Sequence, residues 1–438
     1  MKITVIGCGH LGATHAAGMA EIGHHVVGID VDQAKVDSLN EGRSWFHEEG
    51  LDELLQSNIE AGRLRFSTDF AEAAAHGEVH FLAVGTPVSP AGGYDLSQLH
   101  NTIEQLAPHL TGECLIVGKS TVAPGTAHAL QRLAAELAPS GDLVEIAWNP
   151  EFLREGTSVA DTLTPDRIVL GVTSEKAKAT LLDLYDPIVS GHGCPVILTD
   201  PATAEMAKAT ANAYLATRIS FINAVAEMCA GAGANVSELA DAIGHDARIG
   251  RSYLSPGLGF GGGCIPKDLR AFVHQAEQYE VSVAADFFRS IDSVNLHMRR
   301  RAMDLVLEQL GGQVAGKRVA VLGVAFKPGV DDIRDSPAMD IAVHLHKAGA
   351  DVTVYDPKST GVAQETFPKL GYAVHAIRAV EGADLVFVGT AWPEFGDLDP
   401  DEMARHAADR RIIDARGVID SGRWRAAGWT VLHLGVRA

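Results

Sequence analysis

The stretch Gly259-Phe260-Gly261-Gly262-Gly263-Cys264-Ile265-Pro266-Lys267-Asp268 sets one cysteine between a run of glycines and the start of a helical pattern. Glycines let a backbone approach a ligand closely, and Pro266 suits the first turn of a helix. Cys264 is therefore expected near a helix N-terminus, where the dipole favours a thiolate. Lys267 and Asp268 add a charge pair within one turn. The pattern reads as a reactive thiol beside a charged, glycine-floored pocket. A buried structural cysteine in a tight loop would not call for so many polar and glycine neighbours.

A second chemical pattern opens the chain. Residues 2–7 read as a buried strand, Gly7-Cys8-Gly9-His10-Leu11-Gly12 follows, residues 11–22 read as a helix, and the strand His25–Ile29 ends on Asp30. This is strand, G-x-G-x-x-G, helix, strand, acid. Gly7 permits the tight turn, Gly9 admits a pyrophosphate, and Gly12 lets helix and strand pack closely. Asp30 would accept hydrogen bonds from a ribose diol and repel a 2′-phosphate, so NAD is expected rather than NADP. Lys35 either reaches the diphosphate or is a solvated helix lysine.

The elements that must position these groups follow from the pattern of strands. Signals at Glu78–Val84, Cys114–Lys119 and Val144–Ala147 continue a strand–helix alternation, as in a doubly wound sheet. The loops after them, at residues 84–87, 119–126 and 149–156, face the expected ligand crevice. Residues 202–231 are alanine-rich with helical spacing, and Lys208 and Asn212 share one face. Lys208 is then a solvated surface charge or a cation placed in a cleft. An all-helical middle over 203–310 ends in a helix through Asp286–Leu310, whose Arg299-Arg300-Arg301 reads as a solvated face. An alanine-rich long helix needs a partner to bury it, which suggests a dimer.

From Lys317 the alternation restarts with the strand Arg318–Leu322. A helix (Pro337–Ala348) and a strand (Asp351–Tyr355) ending on Asp356 follow, then strands at Ala383–Gly389, Arg411–Asp414 and Trp429–Leu434. Residues 323–329 lack the G-x-G-x-x-G, and Lys327, Arg334 and Arg416 sit at loop or strand-end positions. Basic contacts of that kind suggest a different nucleotide from the one in the first half.

At 438 residues the chain should hold two or three domains, and 46% hydrophobic residues suffice for their cores. A formal net charge of −20 argues against nucleic acid or an anionic membrane as partner. Five cysteines without a C-x-x-C pair fit a reducing compartment. No signal peptide and no apolar run of membrane-spanning length are read, so a cytoplasmic protein is expected.

Together these pieces resemble the UDP-glucose/GDP-mannose dehydrogenase family over nearly the whole chain. The resemblance rests on G-C-G-H-L-G (7–12), K-S-T-V-A-P-G-T (119–126), N-P-E-F-L-R-E-G (149–156), E-M-A-K-A-T-A-N-A (205–213), F-G-G-G-C-I-P-K-D (260–268) and A-F-K-P-G-V-D-D-I-R-D-S-P (325–337). It implies an α/β chain of two Rossmann-like doubly wound domains joined by a central helical domain with a long connecting helix. The expected limits are residues 1–200 for NAD binding, 201–312 for dimerisation and active site, and 313–438 for UDP-sugar binding.

The resemblance also implies a four-electron oxidation of a nucleotide-sugar alcohol to a carboxylate, with two NAD per turnover and no metal. Stretch 248–262 looks most like the branch acting on UDP-glucose; GDP-mannose, UDP-N-acetylmannosamine and UDP-N-acetylglucosamine are the alternatives. By the same resemblance Cys264 is the nucleophile, Lys208 stabilises alkoxide and oxyanion, Asp268 and Glu151 position or deprotonate water and alcohol, and Asn212 and Thr121 support them. The cofactor would touch Gly7, Gly9, His10, Leu11, Gly12, Asp30, Lys35, Thr86, Thr121, Glu155, Lys267 and Arg334. The nucleotide sugar would meet Glu151, Phe152, Leu153, Lys208, Asn212, Tyr253, Leu254, Ser255, Gly257, Phe260, Gly261, Lys327 and Arg416, with Arg248 reaching it across a homodimer interface. Ala123 stands where the family often has proline, and Gly263 where it usually has serine.

Overall fold

A computed structural model describes residues 1–434; the last four residues of the expected C-terminal domain, 435–438, lie outside the described residues. The chain divides into two compact units, Met1–Ala211 and Asn212 onward, with the division inside the 32-residue helix Pro201–Ala232.

The first unit is built on eight strands: β1 (Lys2–Ile6), β2 (His25–Ile29), β3 (Leu64–Ser67), β4 (Val79–Leu82), β5 (Cys114–Gly118), β6 (Val144–Trp148), β7 (Ile168–Gly171) and β8 (Val196–Thr199). Their order across the sheet is β3-β2-β1-β4-β5-β6-β7-β8. Strands β1 to β6 pair in parallel, whereas β7 runs antiparallel to β6 and β8 parallel to β7. The doubly wound core is thus as expected, with a reversed pair added at one edge. Both faces of β1 and β4 are buried, as a parallel sheet covered by helices requires. The order reverses between β1 and β4, so the crevice lies beyond the carboxyl ends of these two strands.

The second unit holds a six-stranded parallel sheet, β9 (Arg318–Leu322), β10 (Asp351–Tyr355), β11 (Gly371–Tyr372), β12 (Leu385–Val388), β13 (Arg411–Asp414) and β14 (Thr430–His433), in the order β11-β10-β9-β12-β13-β14. Before it come the helices Val236–Gly244, Ile265–Gln278 and Ser282–Gln309, the last two packed as a hairpin through Leu269 and Ile291, with Phe272 and Phe288 in ring contact.

One expectation is corrected here. Arg299 is not on a solvated face: it is 8% exposed and ion-pairs with Asp335 at 2.7 Å and Asp340 at 3.6 Å, while Arg300 and Arg301 are exposed. Three arginines in a row cannot share one face of a helix at about 100° per residue, so one turns inward and finds carboxylates.

Candidate active site

In the first unit the glycine loop behaves as its spacing requires. Gly7 has φ +92°, and a Cβ on Gly12 would come within 1.8 Å of Gly7 O, so neither position accepts a side chain. A Cβ on Gly9 would meet nothing within 4 Å, which leaves open space over the N-terminus of helix His10–Glu21. That open cradle at a helix N-terminus fits a pyrophosphate. Leu11 is half-buried beside it. At the end of β2, Asp30 accepts from Cys8 N at 2.8 Å and Asp32 N at 3.0 Å, so the glycine loop itself aims the carboxylate. Lys35 lies 4.7 Å over the Trp45 ring, and Trp45 Nε1 donates to Cys8 O. Lys35 is therefore neither a plain solvated lysine nor far from the glycine loop.

A buried carboxylate with no local sequence signal ties this loop to the 149–156 loop. His10 Nε2 lies 2.9 Å from Glu48 Oε2, which also accepts from Gly156 N at 2.8 Å; Glu48 Oε1 accepts from Ser158 N at 2.7 Å. Burial works to raise the Glu48 pKa, but the bonds from His10, Gly156 and Ser158 outweigh it and hold the carboxylate below its ordinary value. Glu155 precedes Gly156 in that tethered turn. After β4 and β5, Thr86 Oγ1 donates to Thr121 O at 2.7 Å, so two of the expected cofactor-binding residues are joined.

Beyond β6, Glu151 Oε1 is 2.9 Å from Lys208 Nζ, with side chains 13% and 6% exposed. Lys208 is thus the cation placed in a cleft, not the surface charge. Its Nζ and the Arg167 guanidinium lie 5.7 and 3.7 Å from the Phe152 ring centre, which is cation–π distance. Glu151 Oε2 also accepts from Leu153 N at 2.6 Å. Glu205, three residues before Lys208, is 1% exposed and accepts from Gly125 N and Ala127 N, both at 2.6 Å. That anchors the first turns of the long helix to the residue 119–126 loop. Burial raises the Glu205 pKa against these two donors.

In the second unit Cys264 is exposed and is the N-cap residue of helix Ile265–Gln278, with Pro266 in the first turn. Asp268 N donates to Cys264 O at 2.9 Å, closing the first helical turn. Asp268 is fully buried; its Oδ2 accepts from Asn212 Nδ2 and its Oδ1 from Lys267 Nζ, both at 2.6 Å. Buried Asn295 clamps the loop ahead of the thiol by accepting from Phe260 N at 2.8 Å and donating to Phe260 O at 3.1 Å. The Arg334 guanidinium lies so close to Gly263 that a Cβ there would come within 2.6 Å of its central carbon. A serine at 263 would have to displace it. Arg334 also forks onto Asp332, with its closest contact at 2.7 Å.

Residues 253–261 dock on the second sheet through Arg416, which donates to Gly259 O at 3.1 Å and to Gly389 O at 2.9 Å. Gly257 faces Ala415 O so closely that a Cβ would lie 2.7 Å away. Burial, with Arg299 nearby, pulls the Arg416 pKa down to about 10. Tyr253 and Ser255 are exposed and Leu254 and Gly261 buried; Tyr253 holds φ +61°, a strained position for a tyrosine. Arg218 supports this stretch by donating to the carbonyls of Ile249, Gly250 and Ser252. Arg248 is exposed and forks onto its own neighbour Asp246 at 2.7 Å. Lys327 lies 5.6 Å from the Phe326 ring centre. Asp356 repeats the bonds of Asp30, accepting from Val324 N and Lys358 N as Asp30 does from Cys8 N and Asp32 N, but it carries further donors. It is 2% exposed and accepts from Val324 N, Ala325 N and Trp392 Nε1, so it closes its own turn instead of facing a ribose.

Three family models match the chain in succession: the NAD binding domain over residues 1–189, the central domain over 202–297 and the UDP binding domain over 320–421, all of the UDP-glucose/GDP-mannose dehydrogenase family. The chain belongs to this family. It is 38% identical to a UDP-glucose 6-dehydrogenase of Rhizobium meliloti over 99% of both chains. It is 41% identical to one of Haloferax volcanii over 96% of this chain and 97% of that one. The solved UDP-glucose dehydrogenase of Pyrobaculum islandicum superposes with a TM-score of 0.92 at 35% identity, covering 100% of this chain and 98% of that one. As a family member the chain is an NAD-dependent oxidoreductase with a UDP-binding domain. Among the described residues, no helix is long and apolar enough to cross a membrane.

Proposed function

We propose that this chain oxidises the C6 alcohol of UDP-glucose to the carboxylate of UDP-glucuronate, in two NAD-dependent steps, through a thioester on Cys264. The observation that carries this reading is the exposed Cys264 at a helix N-cap, one turn before the buried Asn212–Asp268–Lys267 cluster. Full-length likeness to UDP-glucose 6-dehydrogenases supports the choice of sugar.

Bound NAD supplies one thing, acceptance of a hydride in each oxidation. Gly7, Gly9, His10, Leu11, Gly12, Asp30, Lys35, Thr86, Thr121, Glu155, Lys267 and Arg334 hold it. Glu151 takes the alcohol proton, directly or through water supported by Thr121 and Asn212, while Lys208 stabilises the alkoxide. The Cys264 thiolate adds to the resulting aldehyde carbon and the oxygen gains a proton, giving a thiohemiacetal. Loss of that proton and of the carbon-bound hydride leaves a thioester. Water, positioned by Asp268, cleaves the carbon–sulfur bond and releases carboxylate and thiol. Phe152, Leu153, residues 253–261, Lys327 and Arg416 hold the nucleotide sugar.

Homodimerisation through the central helix belongs to the same reading. Tyr214, Phe221 and Met228 recur every seven residues along helix Pro201–Ala232 and are 60%, 53% and 72% exposed, an apolar stripe suited to a second copy. Arg248, exposed on the first copy, is then assigned to the substrate of the second. The three matched stretches support domain limits of 1–200, 201–312 and 313–438, and five free cysteines support a cytoplasmic location.

NADH formation from UDP-glucose, GDP-mannose, UDP-N-acetylmannosamine and UDP-N-acetylglucosamine tests the reading. The expected kcat/KM for UDP-glucose exceeds the others by about 100-fold. A preference for another of the four would keep the chemistry and replace the sugar.

A further inference from the structure

Lys119 is the residue after β5 and is 5% exposed. Its Nζ donates to Asn149 Oδ1 at 2.9 Å and to Asn149 O at 3.4 Å, both neutral acceptors. Asn149 is the first residue after β6; its Nδ2 donates to Val169 O at 2.9 Å, and the same Oδ1 that takes Lys119 also accepts from Tyr185 Oη at 2.5 Å. Two residues later comes Glu151, paired with Lys208. On the other side of Lys119, Ser120 Oγ donates to Val84 O at 2.7 Å, and Thr121 O accepts from Thr86. The buried ammonium therefore sits at the junction of the loops that carry Thr86, Thr121 and Glu151. An apolar side chain would fill this place without the desolvation cost of a charge.

We propose that Lys119 is a positioning residue for the reaction, holding the Glu151 loop against the Thr121 loop through Asn149. The inference rests on the roles assigned above to Glu151 and Thr121. The groups facing Lys119 are His15 from helix His10–Glu21, Tyr185 from helix Glu175–His192, Glu151 and the Phe81 ring of β4 at 5.7 Å. Burial, and then Lys119, pushes the His15 pKa well down, and burial pushes that of Tyr185 up, so both are neutral through the working range. Burial brings Lys119 down to about 8, with Glu151 opposing. Lys119 is the member of this cluster that changes charge near that pH, and its bonds to Asn149 weaken as the proton leaves.

The test compares Lys119→Met and Lys119→Gln with the wild type in two measurements. In hydrogen exchange, which needs no turnover, amides of residues 151–157 are expected to exchange about tenfold faster in Lys119→Met while those of β1 and β4 stay as they were. In steady-state kinetics with UDP-glucose, kcat of Lys119→Met is expected to fall by about tenfold or more, with KM for NAD raised as well because Glu155 and Thr121 lie on the loosened loops, and the alkaline limb of the wild-type kcat profile near pH 8 to disappear. Lys119→Gln, which keeps an amide donor without the charge, should restore the slow exchange but not the alkaline limb. Unchanged exchange at 151–157, or a wild-type alkaline limb in Lys119→Met, would overturn the proposal. Absence of NADH from the wild type with any nucleotide sugar would instead sink the proposed function, and the exchange result would still decide whether Lys119 holds the loop.

Discussion

Lys208 Nζ lies 2.9 Å from Glu151 Oε1, and both side chains are almost shielded from water. A pair so placed keeps a cation and a base together in a medium where each is worth more than in solution. Lys208→Met is expected to lower kcat by about 10² to 10³. It also leaves Glu151 without its partner, so the melting temperature should fall. Glu151→Gln, which keeps an acceptor oxygen for Lys208, should lower kcat by about 10² with a smaller thermal shift. Kinetics and a thermal melt on both variants separate chemistry from stability.

Glu48 links His10 in the glycine loop to the turn that follows Glu155. Glu48→Gln keeps one acceptor but presents an amide hydrogen to one of these donors. The expected result is a KM for NAD raised by about tenfold with kcat within a few-fold. Initial rates at saturating sugar and varied NAD check it.

His80 is fully buried, with its Nδ1 2.7 Å from Thr4 Oγ1, and burial lowers its pKa to about 4. The folded state thus refuses a proton that the unfolded chain takes near pH 6.5. The stability this group contributes is present above that pH and is lost as pH falls toward about 4. The loss amounts to roughly 3 kcal/mol for this one group. Melting curves from pH 7 to 4 should show a steep decline, and a Thr4→Val/His80→Leu variant a shallower one.

Phe221→Asp places a charge in the middle of the exposed stripe of Tyr214, Phe221 and Met228. Sedimentation should show a dimer for the wild type and a monomer for the variant. An unchanged sedimentation coefficient would remove this face from the interface.

The sheets were readable because βαβ units leave buried apolar runs punctuated by glycine, as in Lys2–Gly7 and Arg318–Gly323. The strands β3, β7 and β8 were not; length is not the reason, since β4 is equally short and was read, but β3 turns one residue outward and β8 is largely uncovered, so neither leaves a buried apolar run. Cys264 announced itself through its glycines and Pro266. Glu48 did not, because its partners lie 38 to 110 residues away and a lone glutamate carries no local signal. Glu205, Asn295 and Arg218 are of the same kind: each holds backbone atoms of a distant loop, a role that only folding reveals. Arg299 was misread because charge alone does not say which of three neighbouring arginines faces inward.

The most direct test of the central claim is NADH released per UDP-glucose consumed, for the wild type and for Cys264→Ser. A thioester route gives two NADH per sugar in the wild type and loss of steady turnover in the variant, because the serine oxoester it would form hydrolyses too slowly. One NADH per sugar, unaffected by the substitution, would contradict it.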